Sequence, residues 1–161
     1  METIEHLITN YGYIAIFLML TLGIVGLPIP DEALMTLVGY FTHIGVLNYG
    51  FAIVISFTGA LVGMLISYLI GRKFGRPLVK KYGKWVGLKE KRMVRVEKWM
   101  DKYGAYSLIL GYFVPGLRHL TCYFSGISQM KFKTYLLFVA IGAFLWCVTF
   151  ITIGKVIGVM S

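Results

Sequence analysis

The 161-residue chain is 58% hydrophobic and 14% charged, with a mean hydropathy of +0.76 and a formal net charge of +9. Soluble domains carry about 25% charged residues, so this composition excludes an ordinary water-soluble domain and points to an integral membrane protein. The length suits one domain.

The N-terminus, METIEHLITN, has no Lys or Arg ahead of its apolar run and no small-residue cleavage site behind it. A signal peptide would show both, so the first segment is expected to be retained. An apolar run over 11–27 leads into GLPIPDEALM (26–35), and a second run over 33–47 follows at once. One helix through Pro28 and Pro30 would lose backbone hydrogen bonds at about 3 kcal/mol or more per interior proline, which predicts a break. Crossing the hydrocarbon core takes about 20 residues, so the two arms read as a re-entrant hairpin, with an outright crossing by 8–27 as the alternative. Irregular backbone at membrane depth needs protein or a water-filled cavity around it.

Asp31 and Glu32, directly after the break, are the only Asp, Glu, Lys or Arg residues between positions 8 and 71. Each would cost roughly 2.5–3.5 kcal/mol facing lipid at the membrane centre. Both are therefore expected to face a polar interior.

The runs 51–71 and 134–154 contain no charged residue and are long enough to span. Ser56, Gly59, Ala60 and Gly63 give the first of them a face for close helix packing. Between Arg72 and Lys102 lie 12 of the 16 Lys and Arg residues against three acids, which places this segment in the cytoplasm by the positive-inside rule. Leu78, Tyr82, Trp85 and Val86, then Met93, Val96, Met100 and Tyr103, recur at helical spacing, and Pro77 suits a first helical turn. Amphipathic helices on an anionic lipid surface are predicted over 72–102. Apolar segments tether both ends of this patch, which argues against nucleic acid as its partner.

Downstream, 103–114 and 119–130 flank VPGLR, so Pro115 and Gly116 predict a second re-entrant hairpin. Cys122 and Cys147 sit in apolar runs and read as small buried hydrophobes, with no disulfide expected. His6, His43 and His119 lie in unrelated segments without ligand spacing. No metal site, cofactor or catalytic constellation is legible, and an enzyme is not expected.

The chain also repeats itself. GALVGMLISYLIGRKFG (59–75) aligns without a gap on GAFLWCVTFITIGKVIG (142–158), matching Gly59 with Gly142, Gly71 with Gly154 and Arg72 with Lys155. Upstream, NYGYIAIFLM resembles KYGAYSLILG, Pro30 corresponds to Pro115, and LVGY at 37 resembles FSGI at 124. The expected fold is an all-α integral membrane protein made of two inverted repeats, about 10–75 and 103–158. Each is a re-entrant helical hairpin plus one transmembrane helix, and the basic segment 76–102 joins them. Arg118 and His119 are the only basic groups between 103 and 130. If the two hairpin tips meet, Glu32 and Arg118 come together as a structural ion pair, a substrate site, or both.

In order and spacing, PIPDEALMTLVGY, GALVGMLISYLIGRKFG and GYFVPGLRHLTCYFSGISQM resemble the DedA family, also called the SNARE-associated Golgi protein or VTT-domain family. The likeness covers roughly residues 10–155. It implies two facing re-entrant hairpins and movement of lipids across the bilayer: undecaprenyl phosphate or phosphatidylethanolamine in bacterial relatives, phospholipid scrambling in eukaryotic ones. Glu32 matches the family's acid after the hairpin turn, and Arg118 the second arginine of its R-F-x-P-G-x-R motif. Asp31 has no clear counterpart and ranks below Glu32. Tyr112 stands at the motif's first arginine, Gly23 where many relatives carry an acid, and Met64 at a frequent aspartate, which puts strong proton coupling in doubt. One acid and one base fit a zwitterionic head group, with Arg118 on the phosphate and Glu32 on the ammonium of phosphatidylethanolamine. Tyr112, His119 and Thr121 are further hydrogen-bonding groups of the same hairpin. Undecaprenyl phosphate is the alternative cargo, and a proton- or ion-coupled small-solute transporter the further one.

Overall fold

Seven helices and no strand are present among the described residues, which in this computed structural model are 2–25, 29–82, 90–114 and 117–161. They are α1 (Glu2–Val25), α2 (Asp31–His43), α3 (Tyr49–Tyr82), α4 (Glu90–Tyr103), α5 (Tyr106–Tyr112), α6 (Leu117–Ile127) and α7 (Phe132–Met160). The helix breaks fall where the prolines predict them: α1 stops at Val25, Pro30 caps the start of α2, and α5 and α6 flank the second proline. Pro28, Pro115 and Gly116 themselves lie outside the described residues. So do Trp85 and Val86 of the basic segment, and the side chains of Leu78, Tyr82, Met93 and Val96.

Among the described residues two helices are long and apolar enough to cross a membrane, Tyr49–Gly75 with 27 residues and Phe132–Met160 with 29. At 1.5 Å per residue each reaches about 40 Å. They outrun the expected 51–71 and 134–154 because helical backbone continues past the uncharged core. Gly75 interrupts α3 with φ +56° and ψ −153°, a conformation open essentially to glycine alone.

The amphipathic segment and the first arm of the second pair divide close to the expected boundary at 102–103: α4 closes at Tyr103, Gly104 turns left-handed at φ +57°, and its N–H donates to the Met100 carbonyl at 2.7 Å. Only seven residues remain for α5. Met100 of α4 packs on Leu117, Leu120 and Phe124 of α6, so part of its apolar face is covered by protein.

α3 and α7 run antiparallel. Tyr49 Oη lies 2.9 Å from Thr152 Oγ1, the Phe57 and Phe144 rings meet edge to face, and Tyr68 stacks on Tyr135 at 4.3 Å. α1 packs on α3 and α5 on α7, whereas α2 crosses to α7 and α6 crosses to α3. The crossings are backbone to backbone. A Cβ on Gly39 would collide with the Ile151 carbonyl and one on Gly154 with the Thr36 carbonyl. Likewise, one on Gly126 would collide with the Tyr68 carbonyl and one on Gly71 with the Tyr123 carbonyl. Small residues permit such contact between helices in apolar surroundings.

Leu20, Ile24, Met35, Met64, Tyr68, Tyr112 and Trp146 fill the interior, while Phe51, Val54, Leu69, Leu137, Phe144 and Val156 point outward and are exposed. An apolar outer surface of this extent is an association liability in water and the ordinary state of a face against lipid.

Candidate polar site at the helix tips

α2 begins directly after Pro30, so its first turn carries both acids. Negative charge there is favoured by the helix dipole, by about 0.3–1 kcal/mol per group at exposed sites. Successive helical residues diverge by about 100°, and this separates the two carboxylates. Asp31 shares its face with Met35 and Val38, all buried, whereas Glu32 shares its face with half-buried Thr36.

Arg118, in the first turn of α6, reaches both acids. Its Nη2 donates to Asp31 Oδ2 at 2.5 Å, and both side chains are essentially sealed from solvent. Nη1 lies 3.3 Å from Glu32 Oε1, an ion-pair contact without hydrogen-bond geometry, and the Glu32 side chain remains 32% exposed. A cation at a helix N-terminus opposes the dipole; two carboxylates offset that here. The guanidinium also stacks over Trp146, with Cζ 4.7 Å from the ring centroid, a contact worth about 2 kcal/mol when dehydrated. On its other side Asp31 presses against α1, where a Cβ on Gly23 would stand 2.5 Å from Oδ1.

Tyr112, at the end of α5, is fully buried, and its ring lies 5.6 Å from that of Trp146. His119 turns elsewhere. Its Nδ1 sits 2.9 Å from the Ile24 carbonyl, which can only accept, so Nδ1 carries the hydrogen. Ser67 donates to the same carbonyl at 3.3 Å, and the Tyr123 hydroxyl donates to the Val25 carbonyl. The last carbonyls of α1, orphaned by the helix end, are thus held by side chains of α3 and α6. Thr121 donates to the Arg118 carbonyl at 2.9 Å.

The outer side of the site is open. A depression of about 470 Å³ lies between α2 and α7, lined by Glu32, Ala33, Thr36, Leu37, Tyr40, Gly154 and Ile157. Its walls are largely apolar, and Glu32 links it to the buried pair. The matching face of α6 lies under the end of α1.

The site therefore brings together Asp31, Glu32, Arg118 and Tyr112, and ties His119 to α1. The expected approach of Glu32 to Arg118 is present, with Asp31 as the buried partner and Glu32 as the acid at the opening. Trp146 escaped sequence reasoning, although a signal existed: tryptophan concentrates at membrane interfaces, and this one sits midway along a spanning-length helix. No group of three or more His, Cys, Asp or Glu residues able to hold a metal ion occurs among the described residues.

Comparison with known proteins places the chain. The VTT domain model matches residues 29–156. The membrane protein YbfM of Bacillus subtilis (strain 168) is 73% identical over 160 residues, covering 99% of each chain. Undecaprenyl phosphate transporter A of the same organism is 30% identical over 94% of this chain and 74% of its own. The Staphylococcus aureus protein of that name is also 30% identical, over 96% and 78%. No solved structure matches. A match over most of the chain, with relatives aligned nearly end to end, identifies it as a membrane protein of the VTT-domain, or DedA, family.

Proposed function

We propose that the protein carries a phospholipid across the bilayer, with the head group held between hairpin-tip acids and Arg118, and that phosphatidylethanolamine is the best-fitting cargo. The observation that carries this reading is the continuity of a sealed ion pair, a half-exposed Glu32 and an apolar groove on the outer face of α2 and α7. A lipid needs this combination: a polar station for its head and an apolar path for its tails. Two acids face one arginine, so the site carries a net charge of −1. An ammonium group meets Glu32 favourably, and Arg118 binds the accompanying phosphate. Transport asks for no bond to be made or broken, and the protein is not an enzyme in this reading.

The architecture we propose is that of two inverted repeats, about 10–75 and 103–158, each a re-entrant hairpin plus one spanning helix. Its support is the antiparallel course of α3 and α7 together with the paired crossings of Gly39 on Gly154 and Gly126 on Gly71. The protein is then a multi-pass component of the cell membrane. Its basic segment 72–102 lies in the cytoplasm against anionic lipid. A cysteine placed at 84–92 is expected to resist an impermeant thiol reagent added outside intact cells; labelling there overturns the orientation.

Undecaprenyl phosphate is the second reading, favoured by the two relatives named as its transporters. Reconstitution into liposomes with labelled phosphatidylethanolamine or undecaprenyl phosphate decides between them. Accelerated flip of one lipid, lost in Arg118→Ala, is the expected result. Equal rates for wild type and Arg118→Ala with both lipids overturn the lipid reading.

A further inference from the structure

We propose that Trp146 and Tyr112 complete the head-group site as uncharged hydrogen-bond donors that receive phosphodiester oxygens beside Arg118. This deepens the transport reading above and rests on it. Both residues are fully buried; Trp146 lies beneath the Arg118 guanidinium, and Tyr112 packs tilted against Trp146. Trp146 Nε1, Tyr112 Oη, Arg118 Nε and Nη1, and Asp31 Oδ1 are all buried without a hydrogen-bond partner. Native proteins pair roughly 90% or more of such groups. Five atoms without a hydrogen bond on four adjoining side chains, one of them in ion-pair contact with Glu32, mark a place where a partner belongs.

Their chemistry defines that partner. The arginine and indole N–H groups can only donate, the tyrosine hydroxyl can donate or accept, and the aspartate oxygen can only accept. The complement is a group rich in acceptor oxygens that also offers a hydrogen, which describes a phosphodiester carrying an ammonium. A hydrocarbon satisfies none of these atoms, and a simple cation satisfies only the carboxylate. The charge of Arg118 is already matched by Asp31 and Glu32. Additional hold on a phosphate must therefore come from neutral donors, which suit a singly charged diester better than a doubly charged monoester.

Two variants remove one donor each while keeping the ring, Tyr112→Phe and Trp146→Phe. In liposomes each is expected to slow phosphatidylethanolamine flip by about tenfold, the scale of one hydrogen bond to a charged group. A binding readout runs in parallel. With Trp85→Phe and Trp99→Phe introduced, and flip by that background verified, Trp146 is the sole indole. Its emission is expected to shift saturably with short-chain phosphatidylethanolamine, with about tenfold weaker binding after Tyr112→Phe. Wild-type flip in both ring-preserving variants and wild-type binding in Tyr112→Phe, with Arg118→Ala inactive, overturn the inference and leave the transport reading standing. A saturable Trp146 response without flip of any lipid keeps the subsite and removes transport. Neither response nor flip removes both.

Discussion

Arg118 and Asp31 meet at 2.5 Å across 87 residues of sequence, in an interior that seals both side chains. The contact joins the first turns of α2 and α6, each of which rests on the long helix of the other half. Whatever the site carries, this pair is the point at which the two halves read each other.

Removing one partner leaves the other charge buried and uncompensated, at about 3–5 kcal/mol. Asp31→Ala and Arg118→Ala should each lower the melting temperature in detergent markedly, while Glu32→Ala, at the open edge, should lower it less. Equal melting of all three with wild type would show that the pair does not hold the tips together.

The glycine crossings should tolerate no side chain. Gly39→Ala and Gly126→Ala force a methyl group against a backbone carbonyl, and overpacking of this kind costs about 1–3 kcal/mol. The two variants are expected to destabilise by similar amounts, because each added methyl would stand equally close to a carbonyl oxygen, as the proposed repeat requires. Thermal unfolding of both checks this, and a loss confined to one would break the correspondence.

The end of α1 is tied down by His119, Ser67 and Tyr123. Tyr123→Phe removes one of these bonds, at about 1 kcal/mol, and should loosen α1 from α6. A cysteine at Ile24, whose side chain is buried in the wild type, is expected to react with a small maleimide several-fold faster in that variant. Unchanged labelling would mean that the remaining bonds suffice.

Filling the groove tests whether it is used. Ala33 is exposed at its wall, away from the sealed pair. Ala33→Trp is expected to leave the melting temperature within about 0.5 kcal/mol of wild type in stability terms while suppressing lipid flip in liposomes. Full activity in a stable Ala33→Trp protein would place the lipid path elsewhere.

Much of the architecture was legible because proline and charge are blunt signals. The two helix breaks and both long helices follow from PIP, VPG and the uncharged runs. The division of α4 from α5 falls close to the expected boundary at 102–103, where Tyr103-Gly104 has the look of a helix-terminating glycine. The approach of Glu32 to Arg118 was expected from the meeting of the two hairpin tips and is present at 3.3 Å. The burial of Asp31 has its own signal in the apolar spacing of Met35 and Val38 behind it. Trp146 was invisible as a site residue because its partner lies on another helix and only the reach of the Arg118 side chain over the indole joins them.

The interlocked halves bear on how the chain is made. α2 rests chiefly on α7, and Asp31 finds its cation only when Arg118 appears, 87 residues later. At roughly 5–20 residues per second, the ribosome leaves that carboxylate waiting on the order of ten seconds. Until then the first half has an acid at its tip and no finished surface to lay it on. Newborn α2 must therefore be sheltered by the insertion machinery or by water, and a chain cut short before α7 exposes a flaw that cellular quality control can recognise.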